Sequence, residues 1–92
     1  MVMVLERREV VYRGRVQGVG FRYTVRELAS RYQVAGYVRN LDDGRVQIEI
    51  EGEAAELDKF LADVAGRMAD FIRAAAVDRR TGTGEFAGFE IR

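Results

Sequence analysis

The chain has 92 residues (10.4 kDa), enough for one domain around one hydrophobic core, since such cores are usually built from about 50 to 200 residues. It contains neither cysteine nor histidine, which excludes disulfides, thiolate nucleophiles, iron–sulfur clusters, Cys- or His-based metal sites and imidazole acid–base chemistry. Its 15 basic and 15 acidic side chains cancel, unlike the basic excess of a dedicated duplex-DNA binder.

The apolar stretch Met1 to Leu5 is cut off by Glu6-Arg7-Arg8-Glu9, far short of a secretory signal or of the about 20 apolar residues a membrane helix needs. With cysteine absent as well, the expectation is a cytoplasmic protein whose residues 1–7 form a loose tail. Arg8 to Val16 alternates, with Val10, Tyr12 and Val16 on one face and Val11, Arg13 and Arg15 on the other, the period-2 pattern of a strand. Gln17-Gly18-Val19-Gly20 interrupts it. Phe21, Val25, Leu28, Ala29 and Tyr32 then fall at i, i+4, i+7, i+8 and i+11, one stripe of an amphipathic helix. Val34 to Arg39 and Arg45 to Glu51 read as two more strands, the latter alternating Val46, Ile48 and Ile50 with outward Gln47, Glu49 and Glu51. Asp43-Gly44 between them has the chemistry of a hairpin turn. Leu57, Phe60, Leu61, Val64, Ala65 and Met68 make a second helical stripe, with Glu53 and Glu56 placed at its positive N-terminal end. Ile72 to Arg79 and Phe86 to Ile91 read as strands, separated by a loop at Arg79 to Gly84.

The order β-α-β-β-α-β plus a C-terminal strand predicts an α+β fold, the ferredoxin-like split β-α-β sandwich. Two helices then cover one face of a mostly antiparallel sheet and the other face is solvated. In a right-handed βαβ unit the end of the first strand, the start of the first helix and the end of the second strand share one edge. That edge holds the Gly14 to Gly20 loop, Arg22 and Asn40. An intervening strand sets the first two strands about 10 Å apart, room for a small oxyanion. Residues 1–46 carry nine arginines against five acids, whereas residues 47–92 carry six basic against ten acidic residues, so an anion site belongs in the first half.

Gly18 and Gly20 lack a Cβ, so the loop backbone can bend and aim successive N–H groups at one point, next to the positive end of the first helix. Arg22 adds a planar guanidinium that can hold two phosphate oxygens. The same residues also fit a plain tight turn in which Arg22 pairs with a surface carboxylate such as Glu27, and Asn40 fits a turn residue. Nucleotide signatures do not match: Val19 and Tyr23 stand where a P-loop and a dinucleotide fingerprint respectively need glycine. Asp42 and Asp43 beside Gly44 fit turn chemistry better than a metal site.

Gly14-Arg15-Val16-Gln17-Gly18-Val19-Gly20-Phe21-Arg22, then Gly36-Tyr37-Val38-Arg39-Asn40 and Asp43-Gly44, closely resembles the acylphosphatase family from about Val10 to the C-terminus, with Phe89 and Ile91 in the last strand. Gln33 stands where the family often closes its first helix with glycine, and Tyr37 where tryptophan is common. The resemblance implies metal-independent and cofactor-free hydrolysis of the carboxyl–phosphate bond of acyl phosphates. It assigns the phosphate to Arg22 and to loop amides spanning Gln17, Gly18, Val19, Gly20 and Phe21, and the attacking water to Asn40.

The chemistry suits the composition. A carboxylate leaving group has a conjugate acid of pKa about 4 to 5, so no general acid is needed. The alternative is a non-catalytic ferredoxin-like module, RNA-binding or phosphate-sensing, or a carrier unit like those within larger carbamoyl-transferring maturation proteins. The third strand offers no outward aromatic for base stacking, which argues against the RNA reading. The expected partners are an acyl phosphate and inorganic phosphate, with no nucleic acid or membrane, and the chain is expected to be a monomeric single domain.

Overall fold

Alternation and helical periodicity place the elements close to where the sequence predicts them. The computed structural model describes residues 4–92. It contains β1 (Glu6–Gly14), α1 (Phe21–Ala29), β2 (Val34–Asn40), β3 (Val46–Gly52), α2 (Ala54–Arg67), β4 (Ile72–Thr81) and β5 (Phe89–Ile91). The sheet order is β4-β1-β3-β2-β5, antiparallel except for the β2/β5 pair. β3 therefore lies between β1 and β2, as the split arrangement requires. Among the described residues no helix is long and apolar enough to cross a membrane.

The core forms where the helical stripes meet the inward residues of the strands. Val10 and Tyr12 of β1, Val38 of β2, and Val46, Ile48 and Ile50 of β3 are buried against Phe21, Val25 and Leu28 of α1 and Leu57, Phe60 and Val64 of α2. Full burial of each such aliphatic or aromatic side chain contributes about 1.5–3 kcal/mol. Rings fix the angles between layers: Tyr12 lies 5.1 Å from Phe21, and Phe60 lies 6.0 Å from both Tyr32 and Phe89. Of the second predicted stripe, Leu61 is half-buried and Ala65 is exposed, so the contact face of α2 is narrower than the pattern suggests.

Three departures have physical causes. β1 begins at Glu6, inside the expected tail, because Glu6 and Arg7 pair with Gly52 and Glu51 of β3; residues 1–3 of that tail lie outside the described residues. The first helix needs no glycine at residue 33. Its last turn tightens through Arg31 N–H to Leu28 C=O (3.0 Å), the Ser30 hydroxyl donates to Glu27 C=O (2.6 Å), and Gln33 N–H is taken by the Glu56 carboxylate of α2 (2.9 Å). The face away from the helices is not simply solvated. Gln47, Glu49 and Glu51 point outward as predicted, yet each is buried.

Topology explains the covered face. The chain must pass from β4 at one edge to β5 at the other, four strand spacings or about 19 Å, and seven extended residues span about 23 Å. Residues 82–88 therefore run directly across the sheet. Glu51 holds this crossing segment by accepting hydrogen bonds from Thr83 N–H (2.8 Å), the Thr83 hydroxyl (3.1 Å) and Gly84 N–H (2.9 Å). Arg7 donates to Glu49 (3.0 Å) and to Glu85, while its guanidinium lies 4.7 Å from the Phe86 ring. The hydrogen bonds that Arg7 donates to Glu49 and Glu85 drive its pKa further above its ordinary value.

Candidate active site

The loop after β1 is shaped by what its side chains bury. Val16 and Phe21, at its two ends, are in the core, Val19 packs against the core from between them, and Arg15 N–H donates to Phe71 C=O at 2.9 Å. With the side chains turned inward, the backbone between them faces out. Gly18 and Gly20 both sit at φ +77°, the left-handed region that costs an L-residue roughly 1–2 kcal/mol.

Gly20 is also the N-cap of α1 and offers no capping side chain. The first helical hydrogen bond runs from Thr24 N–H to Gly20 C=O (3.0 Å), which leaves the N–H groups of Phe21, Arg22 and Tyr23 ahead of the ladder. Unpaired donors at the positive end of a helix are a natural place for an anion.

Across from this turn β2 ends at Asn40, paired in register with Val46 and on the inward face shared with Val38. A cavity of about 150 Å³ lies between, lined by Val16, Gly18, Gly20, Phe21, Arg22, Tyr23 and Asn40. Of the residues proposed from sequence, Gly18, Gly20, Phe21, Arg22 and Asn40 are thus brought together. Val19 turns into the protein. The Gln17 side chain turns toward the β2–β3 hairpin and does not line the cavity.

The lining carries one cation and no carboxylate. Among the described residues Arg22 makes no salt bridge, and Glu27, its expected surface partner, instead faces Arg31 at 3.3 Å. The turn chemistry that Asn40 was a candidate for is performed by Asp43, whose carboxylate accepts from the Arg45 N–H (3.2 Å) and guanidinium (2.7 Å). The backbone donor foremost, then the guanidinium, holds Asp43 below its ordinary pKa. A larger cleft of about 370 Å³ lies at the opposite end of the sheet, but it is lined by Glu51, Glu53 and Glu56, which repel anions. No group of three acidic side chains that would hold a metal ion occurs among the described residues.

Two features of the site were missed in reading the sequence, and only the first had a signal there. Tyr23 forms part of the wall, a consequence of its place in the first turn of α1 beside Arg22, which that spacing alone would have flagged. The Gln17 side chain contacts residues 24 and 28 positions away, for which no local pattern exists.

The acylphosphatase family model matches residues 8–91. The acylphosphatase of Acaryochloris marina is 42% identical over 84 residues, 90% of this chain and 89% of that protein. That of Clostridium acetobutylicum is 48% identical over 61 residues, 66% of this chain and 67% of that protein. In three dimensions the crystal structure of the acylphosphatase from Bacillus subtilis superposes with a TM-score of 0.81 at 35% identity, over 96% of this chain and 98% of that one. The match thus runs through the loop, helix and hairpin that build the cavity and on to the last strand, and the chain belongs to the acylphosphatase family.

Proposed function

We propose that the protein hydrolyses acyl phosphates to a carboxylate and inorganic phosphate, with water as nucleophile and no metal ion. The observation that carries this reading is the cavity where Arg22 and the open amides of the α1 N-terminus face Asn40 with no carboxylate in the lining. Water attacks phosphorus, the P–O bond to the acyl oxygen breaks, and the bonding pair leaves with the carboxylate. The proton of the water passes to a phosphoryl oxygen of the substrate itself or to solvent. Charge on the phosphoryl oxygens is matched by the guanidinium of Arg22 and by the amides of Gly18, Val19, Gly20 and Phe21, fixed before substrate arrives. The Gln17 amide stands at the entrance of the same loop.

Preorganised donors of this kind supply the largest catalytic contribution in many enzymes. Asn40 orients the attacking water through its side-chain amide, a gain in alignment and not in proton affinity. The stable leaving group makes imidazole dispensable, in keeping with a chain that has no histidine. Zero net charge argues against a nucleic acid partner and the absence of cysteine fits the cytoplasm, and we read the protein as a cytoplasmic monomer without nucleic acid or membrane partners.

Phosphate release from acetyl phosphate and from an alkyl phosphate monoester, measured side by side with and without EDTA, tests the proposal. Turnover of the acyl phosphate alone, indifferent to EDTA and competitively inhibited by inorganic phosphate, is expected. Equal turnover of the monoester, or loss in EDTA reversed by a divalent ion, overturns it.

A further inference from the structure

The anion loop and Asn40 belong to strands that do not touch. β3 separates β1 from β2, and two connecting segments, the 15–20 loop and the 40–45 turn, carry the groups that must meet at one phosphorus. Among the described residues, one side chain supplies all the hydrogen bonds between these two segments: Gln17 Nε2 donates to Leu41 C=O at 2.8 Å and to Arg45 C=O at 3.0 Å. Both neighbours are acceptors, so only the amide nitrogen of Gln17 satisfies them.

The two carbonyls are the closing points of the hairpin turn. Leu41 N–H donates to Arg45 C=O (2.8 Å) and Gly44 N–H to Leu41 C=O (3.2 Å), so Gln17 grips the turn at the residue that follows Asn40. Gln17 is half-buried and lies one residue before Gly18, so the same residue is fixed to the anion loop at its backbone and to the hairpin at its side chain.

We propose that Gln17 is a positioning residue that holds Asn40 at its working distance from the anion loop. This inference rests on the acyl phosphate hydrolysis proposed above. The side-chain amide acts through Asn40 and does not touch the substrate, so it governs the alignment of water and leaves the binding of phosphate to the loop backbone and Arg22. Misplacement by about 1 Å can cost on the order of 10²-fold in rate.

Two substitutions isolate this role. Gln17→Glu keeps the shape and replaces the donor by an acceptor facing two carbonyls; Gln17→Met keeps the volume and removes the polar contact, so one remains informative where the other fails to fold. Expected for either is a fall in kcat on acetyl phosphate of about 10- to 100-fold, with the inhibition constant for inorganic phosphate changed by less than about two-fold. In the Asn40→Ala background the same Gln17 substitution produces no further loss, because the group it positions is gone.

A role confined to stability lowers the melting temperature and leaves kcat of the folded protein intact, and that result overturns the inference. So does a loss that multiplies with that of Asn40→Ala, or one shared equally by phosphate affinity. Absence of acyl phosphate turnover in the parent protein removes the functional reading and this inference together, whereas an active parent with any of the contrary patterns removes this inference alone.

Discussion

Arg22 stands in the first turn of α1 with no carboxylate partner among the described residues, an arrangement that leaves its guanidinium to a ligand. Arg22→Ala is expected to lower kcat/KM on acetyl phosphate by about 10²- to 10³-fold, the usual effect of losing one preorganised donor, and to weaken inhibition by phosphate in parallel. Arg22→Lys restores little, since an ammonium cannot bind two oxygens side by side. Steady-state kinetics with phosphate as inhibitor checks both; unchanged phosphate inhibition in the Ala variant removes Arg22 from the site.

Asn40 behaves differently if its amide aligns water. Asn40→Ala then lowers kcat while phosphate inhibition stays near the parent value, because the lost interaction matters only in the transition state. Asn40→Asp also weakens phosphate binding, more at low salt than at high, since it places a carboxylate beside the phosphoryl group. Full kcat in an unstable Asn40→Ala protein returns the residue to a structural role in the turn.

At the scale of elements, helical periodicity located the buried faces because each stripe packs against one sheet. Phe60 is the hub of this contact, wholly buried and edge-on to Tyr32 below α1 and to Phe89 of β5. Phe60→Ala is expected to cost about 3–5 kcal/mol, read as a lower urea midpoint at unchanged slope. A loss under about 1 kcal/mol means that the cavity collapses and that the two helices are held by other contacts. The termination of α1 was less legible. Ser30, Leu28 and Glu27 end it locally, but the donor at Gln33 is satisfied by Glu56, which a reading of α1 by itself does not reach.

At the scale of the whole molecule, the Arg7–Glu85 pair, the Asp43–Arg45 pair of the hairpin turn and the buried phenol of Tyr12 make stability depend on pH. Glu85, held below its ordinary pKa of 4.5 by its hydrogen bond to Arg7, and Asp43, held below 3.8 by Arg45, each stabilise the fold above those values. That contribution is lost as pH falls through their lower folded values. The melting temperature is therefore expected to drop below about pH 4.5, and less steeply in a Glu85→Gln, Asp43→Asn double variant.

Burial raises the Tyr12 phenol above its ordinary 10.0. The unfolded chain then ionises first, and stability declines as pH rises past about 10. Thermal melts of Tyr12→Phe and the parent at alkaline pH check this, the variant being expected to show the shallower decline; equal slopes assign the alkaline loss to other groups.

What the sequence by itself determined is local or periodic: the order of seven elements, the inward residues of β1 and β3 and most of those of the two helices, the glycine turn before α1, and the sharing of one edge by Arg22 and Asn40, which follows from the right-handed crossover. These follow from interactions within a few residues and from the handedness of the chain. Tertiary structure alone decided that the outward carboxylates of β3 are buried under residues 82–88, that Glu56 closes α1, and that Gln17 ties the loop to the hairpin. Each of these pairs residues 23 or more positions apart through polar groups. Hydrophobic periodicity records which face is buried; it carries no signal for which distant donor meets which acceptor, because that is set only once the strands have been ordered in space.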